Sequence, residues 1–259
     1  MIDLSEVCGL PVQFDNENIS FVLADDLNCD GEDQVKLSEI VPILLNKYLK
    51  YPEVVYKHRK NIFFKDNQPN GISYDMICIP FGLLGIEYIK THVYYSPEVA
   101  GKYDCVIEVL QGEMMVVMQK NQPKEDEWQY DTYVEDLAIV TLKKGHKLAI
   151  PTGYFYTFVN TGNSFLIISR VRSKQSATPI DYSMLRREKG LACYIISKNA
   201  KIETVANPKY KVTTKLKAMS ITYFIEKRVQ EEIPKQIFKT KEPLAKIIDR
   251  IESIVLINS

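Results

Sequence analysis

The sequence predicts a mainly β fold, an antiparallel barrel or jelly roll, with a helix before it and a helical extension after it. After Ile62 the chain consists of about eight short segments rich in β-branched and aromatic residues, separated by Gly, Pro and Asn. No helical pattern interrupts these segments, which is typical of strands joined as hairpins. Beyond Lys211 the composition changes again. We therefore expect an N-terminal helix and arm over 1–62, a barrel over 63–211 and a C-terminal extension over 212–259.

The N-terminal helix is predicted over 36–50. Its apolar residues recur at helical spacing, and Ser38 is placed to cap its start. These apolar residues are Ile40, Leu44, Leu45 and Tyr48.

The end of the barrel and the extension each contain a clear sequence signal, a hairpin turn in the first and a helix start in the second. The four residues from Lys198 to Lys201 form the expected turn of a hairpin. Further on, Pro243 suits the first position of a helix with one apolar stripe, formed by Leu244, Ile247, Ile248, Ile251 and Val255. Such a stripe must be buried, either as a clasp across the barrel or a dimer, or as a docking surface for another protein.

Composition and charge indicate an ordinary globular protein. Apolar residues make up 46% of the chain, and Lys plus Arg equals Asp plus Glu at 33 each. A balanced chain without a dense basic block has little to attract nucleic acid or an anionic membrane. The acidic N-terminus does not resemble a signal peptide, and the scattered cysteines do not resemble a disulfide framework or a zinc site, so we expect a cytoplasmic protein.

One stretch, "GHKLAIPTGYFYTFVN", has the spacing of a β-hairpin that presents a metal ligand at a barrel mouth. Gly145 and Gly153 suit tight turns, Pro151 stiffens the entry and Asn160 closes the far turn. The spacing G(x5)PxG(x2)Y(x3)N resembles the second motif of the cupin superfamily, with Tyr156 in the histidine position.

An earlier stretch resembles the first cupin motif, which ends in a glutamate separated by six residues from a glycine. In "CVIEVLQG", Cys105 stands in the glutamate position and Gly112 in the glycine position. The two motifs occur in the expected order, so the resemblance implies a cupin, a double-stranded β-helix.

The resemblance is closer to one cupin family, the archaeal-type glucose-6-phosphate isomerases, and covers roughly residues 10–211. "ISYDMICIPFGLLGIEYIKT" resembles that family's strand pair leading to Lys-Thr and then Gly-His-x-His. "IEVLQGEMMVVMQ" and "IDYSMLRREKGLACYIISKNAKIETVANPKYK" resemble two later family regions. Members interconvert glucose 6-phosphate and fructose 6-phosphate with one divalent metal, such as Fe, Ni, Mn or Zn, held by three histidines and a glutamate.

The resemblance places different residue types at all four metal-ligand positions. Counted from Lys90 and Thr91, the two histidines of the first motif fall on Tyr94 and Ser96, so His92 is out of register. The glutamate falls on Cys105 and the last histidine on Tyr156. A phenol with a pKa of about 10 and a serine hydroxyl are poor ligands at neutral pH, so we expect no metal and no other cofactor.

Two readings of function follow from these substitutions. We expect a degenerate, metal-free cupin that binds a small molecule such as a sugar phosphate, or acts as a sensor or scaffold. The alternative is an active glucose-6-phosphate isomerase with a rearranged site, in which Cys105 and Glu98 are weak catalytic candidates. Asp104 and Glu98 are more simply interpreted as solvated loop charges. The expected ligand-binding residues are Thr91, Tyr94, Ser96, Cys105, Tyr154, Tyr156 and Tyr182.

Partners are expected to be few. Cupins commonly dimerise, so the resemblance implies a homodimer. Neither nucleic acid nor a membrane is expected, and the C-terminal helix is the candidate surface for docking another protein.

Overall fold

A computed structural model describes residues 1–96, 102–122, 132–174, 182–212, 217–220 and 232–256. The strands are β1 Ile2–Asp3, β2 Val12–Asp15, β3 Ser20–Leu23, β4 Leu27–Asn28, β5 Gly31–Lys36, β6 Val54–Lys60, β7 Phe63–Phe64, β8 Ile72–Ile79, β9 Leu83–Leu84, β10 Glu87–Tyr88, β11 Tyr94–Tyr95, β12 Tyr103–Gln111, β13 Glu113–Asn121, β14 Thr132–Lys143, β15 Lys147–Pro151, β16 Phe155–Asn160, β17 Leu166–Ser173, β18 Cys193–Lys198, β19 Lys201–Ala206, β20 Tyr210–Val212 and β21 Lys217–Ser220. The helices are α1 Ser5–Cys8, α2 Leu37–Ile40, α3 Tyr182–Glu188, α4 Glu232–Lys239 and α5 Ile248–Val255, with 3-10 turns at Val41–Ile43 and Leu244–Lys246.

Two sheets build the barrel of a mainly β cupin fold. One has the strand order β15-β12-β17-β8-β6-β5, and the other has the order β11-β16-β13-β14-β20, with β21 also paired to β14. The consecutive strands β12 and β13 lie in different sheets. The chain then crosses from β14 in one sheet to β15 in the other and back to β16, which is the connectivity of a jelly roll. The predicted fold class is confirmed.

The barrel sheet extends beyond the segment predicted to form the barrel. Strands β5 and β6, from the N-terminal arm, pair with each other and continue the sheet beyond β8. At the other end, β20 and β21 run parallel to β14. The division at residues 62 and 211 stays a prediction about domains, whereas the sheets themselves include strands from both flanking segments.

The helix predicted over 36–50 is wrong in its extent. Only Leu37–Ile40 is α-helical, followed by the 3-10 turn Val41–Ile43. Ser38 does not cap this helix, because it lies inside its first turn, and the backbone N–H of Lys36 instead donates to the Glu39 carboxylate at 2.7 Å.

The physical reason is a competing set of hydrogen bonds. The Lys90 ammonium donates to the carbonyl of Ile43 at 3.1 Å, and the N–H of Leu45 donates to the Glu87 carboxylate at 2.6 Å. Lys90 and Glu87 are themselves paired at 2.7 Å, and both are buried. These side chains satisfy backbone groups that a longer helix would have used, so the tertiary contacts override the helical pattern.

The C-terminal segment has a buried apolar stripe, as predicted, and an additional helix. Pro243 precedes the 3-10 turn, and α5 follows it. The stripe packs on strands β12 and β17 of the barrel sheet. Its buried residues are Leu244, Ile247, Ile251, Ile254 and Val255. The suggestion that this stripe docks another protein is therefore wrong, because the chain's own sheet covers it; α4 was not predicted.

The predicted hairpin turn is confirmed. Lys198 pairs with Lys201 across the turn, and Asn199 and Ala200 have φ values of 52° and 58°. Positive φ at both central residues is the geometry of a type I′ turn. In the part of the chain that the structure describes, no helix has the length and apolar character needed to cross a membrane.

Candidate functional site

The hairpin quoted above has the turns that its glycines predict. Gly145 and Gly153 adopt φ values of 82° and 81°, which side chains rarely tolerate. The Asn160 amide donates to the carbonyls of Ile79 and Ser164, both at 2.9 Å, and so ties the end of β16 to β8 and to the following turn. These residues hold the hairpin in place, and its centre points Tyr156 into the barrel.

Tyr156 and Tyr94 meet inside the barrel. They are direct partners across β16 and β11, and their rings are stacked with centroids 5.3 Å apart and planes 26° from parallel. The ring of Phe158 completes the cluster, 5.5 Å from Tyr156 and 5.6 Å from Tyr94. Tyr156 is 1% exposed, so a packed ring occupies the position at which the motif resemblance predicts a ligand.

A β-bulge near the start of β12 brings a carboxylate to the same point. Tyr103 pairs with Pro151 but Cys105 pairs with Ile150, so Asp104 is an extra residue in the strand. The bulge lets Asp104 and Cys105 both reach Tyr156: its hydroxyl donates to the Asp104 carboxylate and lies 3.5 Å from the Cys105 sulfur.

The interpretation of Asp104 as a solvated loop charge is therefore wrong. Asp104 lies in a strand and is only 5% exposed. The bulge lets the consecutive residues Asp104 and Cys105 both face the interior, which regular strand alternation does not allow. Glu98, the other carboxylate considered, lies outside the described residues.

The side chains of this cluster resist ionisation. Burial raises the pKa of the Cys105 thiol and of the Tyr156 and Tyr94 phenols. Burial also raises the pKa of the Asp104 carboxyl, although the Tyr156 hydroxyl partly opposes this effect. At neutral pH the thiol and the phenols are therefore uncharged.

A buried charge network lies beside the aromatic cluster. The carboxylate of Asp75 is fully buried, and it accepts hydrogen bonds from Arg170 at 2.8 Å, Arg172 at 3.1 Å and Ser73 at 2.6 Å. The His58 Nε2 lies 3.2 Å from the same carboxylate. Burial opposes ionisation of Asp75, but Arg170, His58 and Arg172 together hold its pKa well below the ordinary value.

This network contacts the residues that the motif resemblance places at the ligand positions. The Arg170 Cζ lies 4.8 Å from the centroid of the Tyr94 ring, within cation–π distance. Arg172 is the cross-strand partner of Cys105. The charges and the aromatic cluster therefore form one continuous interior.

His92 lies at the edge of the cluster. Its Nδ1 is hydrogen-bonded to the hydroxyl of Tyr56, and its ring centroid lies 4.2 Å from that of Tyr94. Burial, together with the nearby positive charge of Arg170, lowers the His92 pKa to about 3. His92 is therefore a neutral, packed imidazole.

Besides Cys105 and Tyr156, two more of the expected ligand-binding residues, Thr91 and Ser96, are buried. The Thr91 hydroxyl donates to the carbonyl of His92 at 2.9 Å and accepts from the N–H of Phe158 at 3.1 Å, so its role is to join strands. Ser96 is also fully buried, and its hydroxyl has no hydrogen-bond partner.

The remaining expected residues, Tyr154 and Tyr182, are half-buried, as Tyr94 is. The Tyr154 hydroxyl donates to the Asp136 carboxylate at 2.6 Å, and the Tyr182 hydroxyl donates to the carbonyl of Val93. Val93 and Ser96 flank β11, and the N–H of Ser96 donates to the carbonyl of Tyr154 at 3.0 Å. The structure therefore brings Tyr154 and Tyr182 to the same end of the barrel as Tyr94.

Sequence reasoning did not identify the charge network, although a signal was present. "ISYDMICI" places one aspartate in an apolar strand, and "LIISRVRS" places two arginines two residues apart in another. Charges at that spacing in a buried strand share one face and need partners on a neighbouring strand.

Within the described residues, no three His, Cys, Asp or Glu side chains are grouped so that they could hold a metal ion. His92 and Asp104 each contact the aromatic cluster, but on different tyrosines: His92 packs against Tyr94, and Asp104 is bonded to Tyr156.

A family model described as "Glucose-6-phosphate isomerase (GPI)" matches residues 46–225. No curated protein sequence matches the chain.

Solved structures with similarity include several cupins, all distant. The Schizosaccharomyces pombe Cnp3 cupin domain has 15% identity and a TM-score of 0.28, covering 45% of this chain and 64% of its own. An oxalate oxidase has 15% identity and a TM-score of 0.30, covering 42% and 44%. Drosophila melanogaster CENP-C has a domain with 14% identity and a TM-score of 0.30, covering 49% and 73%. The chain spans only about half of the length of the first structures it matches; in one further structure it covers 53% of that chain.

Proposed function

This chain belongs to the glucose-6-phosphate isomerase family, and we propose that it is a member that binds a small molecule, a sugar phosphate or a similar compound, without isomerising it. The observation that carries this proposal is the hydrogen bond from the buried Tyr156 hydroxyl to Asp104, with the Cys105 sulfur beside it. Through this arrangement the residues at two of the family's ligand positions, Tyr156 and Cys105, contact each other directly, and no metal is needed between them.

The donor set does not fit the family's divalent metal. The four ligand positions fall on Tyr94, Ser96, Cys105 and Tyr156, and metals bind thiolates and phenolates rather than the protonated groups. Burial keeps the thiol and both phenols protonated, and Ser96 is a poor ligand at any ordinary pH. We therefore propose that the barrel functions without a metal.

The isomerisation also needs a base beside the substrate carbon and an electrophile to hold the enediolate charge. Cys105 is fully buried, and its raised pKa makes it a poor base. Tyr156 is equally inaccessible. The residues at the ligand positions thus supply neither role to a bound sugar.

The rim of the cluster carries the side chains that suit a sugar phosphate. The half-buried side chains of Tyr154 and Tyr182 lie with Tyr94 around the end of β11. Their rings offer an apolar face, and each hydroxyl, which already donates within the protein, keeps an oxygen that can accept a hydrogen bond from a sugar. Arg172, whose side chain is 21% exposed, adds a positive charge for a phosphate or carboxylate.

The proposal is tested by activity, metal content and binding measured on one preparation. We expect no isomerase turnover in a coupled assay, with or without added Fe, Ni, Mn or Zn, and less than one equivalent of metal in the purified protein. We also expect glucose 6-phosphate, fructose 6-phosphate or 6-phosphogluconate to raise the melting temperature, and glucose to leave it unchanged. One bound metal per chain contradicts the metal-free assignment, and the absence of any thermal shift contradicts sugar-phosphate binding, leaving a scaffold role.

The second candidate function is an active isomerase with a rearranged site, and Asp104 is the observation that favours it. A buried carboxyl with a raised pKa is a suitable general base, and Arg170 or Arg172 would be the electrophile. Turnover that survives chelation and is abolished in Asp104→Asn, but retained in the exposed control His146→Gln, would establish this function over the first.

A further inference from the structure

The interior of the barrel contains a cation of its own, the guanidinium of Arg170. Arg170 lies in the middle of β17, is 3% exposed, and faces the interior together with its cross-strand partners Asp75 and Ile107. Its Cζ lies 4.8 Å from the centroid of Tyr94, and the Tyr94 ring in turn lies 5.3 Å from that of Tyr156. The charge is therefore next to the residues at the family's ligand positions.

The positive charge of Arg170 is held in place by an ion pair with Asp75. Arg170 donates to Asp75 at 2.8 Å, and Asp75 is shared with Arg172, so two guanidinium groups face one carboxylate. The Arg170 Nε is buried without a hydrogen-bond partner. A guanidinium stays ionised at any ordinary pH, so the interior carries this charge permanently.

The charge of Arg170 acts on the whole cluster. It favours the ionised forms of Tyr94, Cys105, Tyr156 and Asp104, opposing the larger effect of burial on the pKa of each group. A divalent metal acts on its ligands in the same direction. The charge of Arg170 therefore acts on the residues at three of the four ligand positions, Tyr94, Cys105 and Tyr156.

We propose that the guanidinium of Arg170 is the resident cation of this barrel: it organises Asp75 and the tyrosines around the position that a metal takes in the family, and it repels a divalent ion from that position. This inference rests on the proposed metal-free function. Arginine suits the role better than lysine because its planar group stacks on a ring and bonds a carboxylate at the same time.

The consequence is that replacing the ligands alone does not restore a metal site. Two positive charges at neighbouring positions in a protein interior repel strongly. The four-donor variant Tyr94→His, Ser96→His, Cys105→Glu and Tyr156→His should therefore bind Co²⁺ at least about a hundredfold more weakly with Arg170 than with the added change Arg170→Met.

The experiment measures the Co²⁺ dissociation constant and the visible spectrum of Co²⁺ in both backgrounds, with Arg250→Met as the matched control. Arg250 is a half-exposed arginine of α5, paired with Glu242, so its loss should leave the Co²⁺ affinity unchanged. Equal affinities with and without Arg170 overturn the proposal, and so does the absence of Co²⁺ binding in both backgrounds.

A smaller pair of variants covers the case in which the four-donor chain does not fold. Tyr156→His places an imidazole beside the natural Asp104 and Cys105, and it is compared with and without Arg170→Met in the same measurement. An unchanged affinity in this pair also overturns the proposal. Stoichiometric Co²⁺ binding by the unmodified chain would instead contradict the proposed metal-free function, so the two failures are distinguishable.

Discussion

Two buried ion pairs lie on opposite faces of the same six-stranded sheet. Asp75 and Arg170 are cross-strand partners on the interior face. Glu108 and Lys147 are cross-strand partners 2.7 Å apart at their charged ends, and they face outward because Glu108 follows the inward residue Ile107 along β12. Each pair is almost completely removed from solvent.

The two pairs differ in what else they bind. Asp75 is satisfied by side chains and backbone of the barrel itself, including the N–H of Asn61 at 3.0 Å. Glu108 also accepts from the N–H of Leu244 at 3.0 Å, and Lys147 also donates to the carbonyl of Thr240 at 3.3 Å. The interior pair therefore belongs to the barrel, whereas the outer pair attaches the C-terminal segment to it.

The largest effect is expected from breaking the interior pair. Asp75→Asn leaves the buried Arg170 and the half-buried Arg172 without their counter-charge, and we expect it to lower the free energy of unfolding by about 3–5 kcal/mol. Urea unfolding followed by circular dichroism measures this. The control Asp33→Asn removes an exposed partner of Lys60 and should cost under about 1 kcal/mol. Equal costs in the two variants would show that the interior charges are not a coupled network.

The sequence predicted the parts of this architecture that depend on local chemistry. Gly145, Gly153 and Asn160 occupy the turns that their side chains suit, and the strands follow the β-branched and aromatic runs. Such features need only a few neighbouring residues, so they can be read from the chain directly.

The parts that failed depend on register and on distant partners. The bulge at Asp104 has no distinctive sequence, yet it turns a carboxylate from one face of the strand to the other. The pairing of Asp75 with Arg170 joins residues far apart in the chain, and the truncated helix after Lys36 results from the side chains of Glu87 and Lys90. Each of these features depends on the fold being already assembled.

The outer pair should give a smaller and more local effect. Lys147→Met leaves Glu108 buried without its partner and removes a bond to Thr240, and we expect a loss of about 3 kcal/mol. Because these bonds hold the C-terminal segment, residues 232–256 should become sensitive to protease before the barrel unfolds.

Limited proteolysis with mass spectrometry compares Lys147→Met with Asp75→Asn. Early cleavage confined to 232–256 is expected only for Lys147→Met. If both variants lose the segment and the barrel together, the outer pair is part of one cooperative unit with the interior, and the distinction between the two faces fails.

The smallest effect is a dependence of stability on pH that arises at His92, close to the interior pair. His92 has a pKa lowered to about 3 by burial and by Arg170, against about 6.5 in the unfolded chain. The unfolded state therefore binds the extra proton between these values, so stability is complete above about pH 6.5 and falls as the pH falls towards 3. At pH 5 the loss attributable to His92 is about 2 kcal/mol, from about 1.4 kcal/mol per pH unit.

Urea unfolding at pH 7 and pH 5 measures this dependence. His58, whose pKa is lowered in the same direction by burial, contributes with the same sign. His92→Gln should reduce the difference between the two pH values by about 2 kcal/mol. His146→Gln, at an exposed turn, should leave it unchanged. An undiminished difference in His92→Gln would mean that the acid sensitivity comes from other groups. The outer carboxylate Glu108 is not one of them, because burial raises its pKa and its contribution to stability therefore weakens as the pH rises, not as it falls.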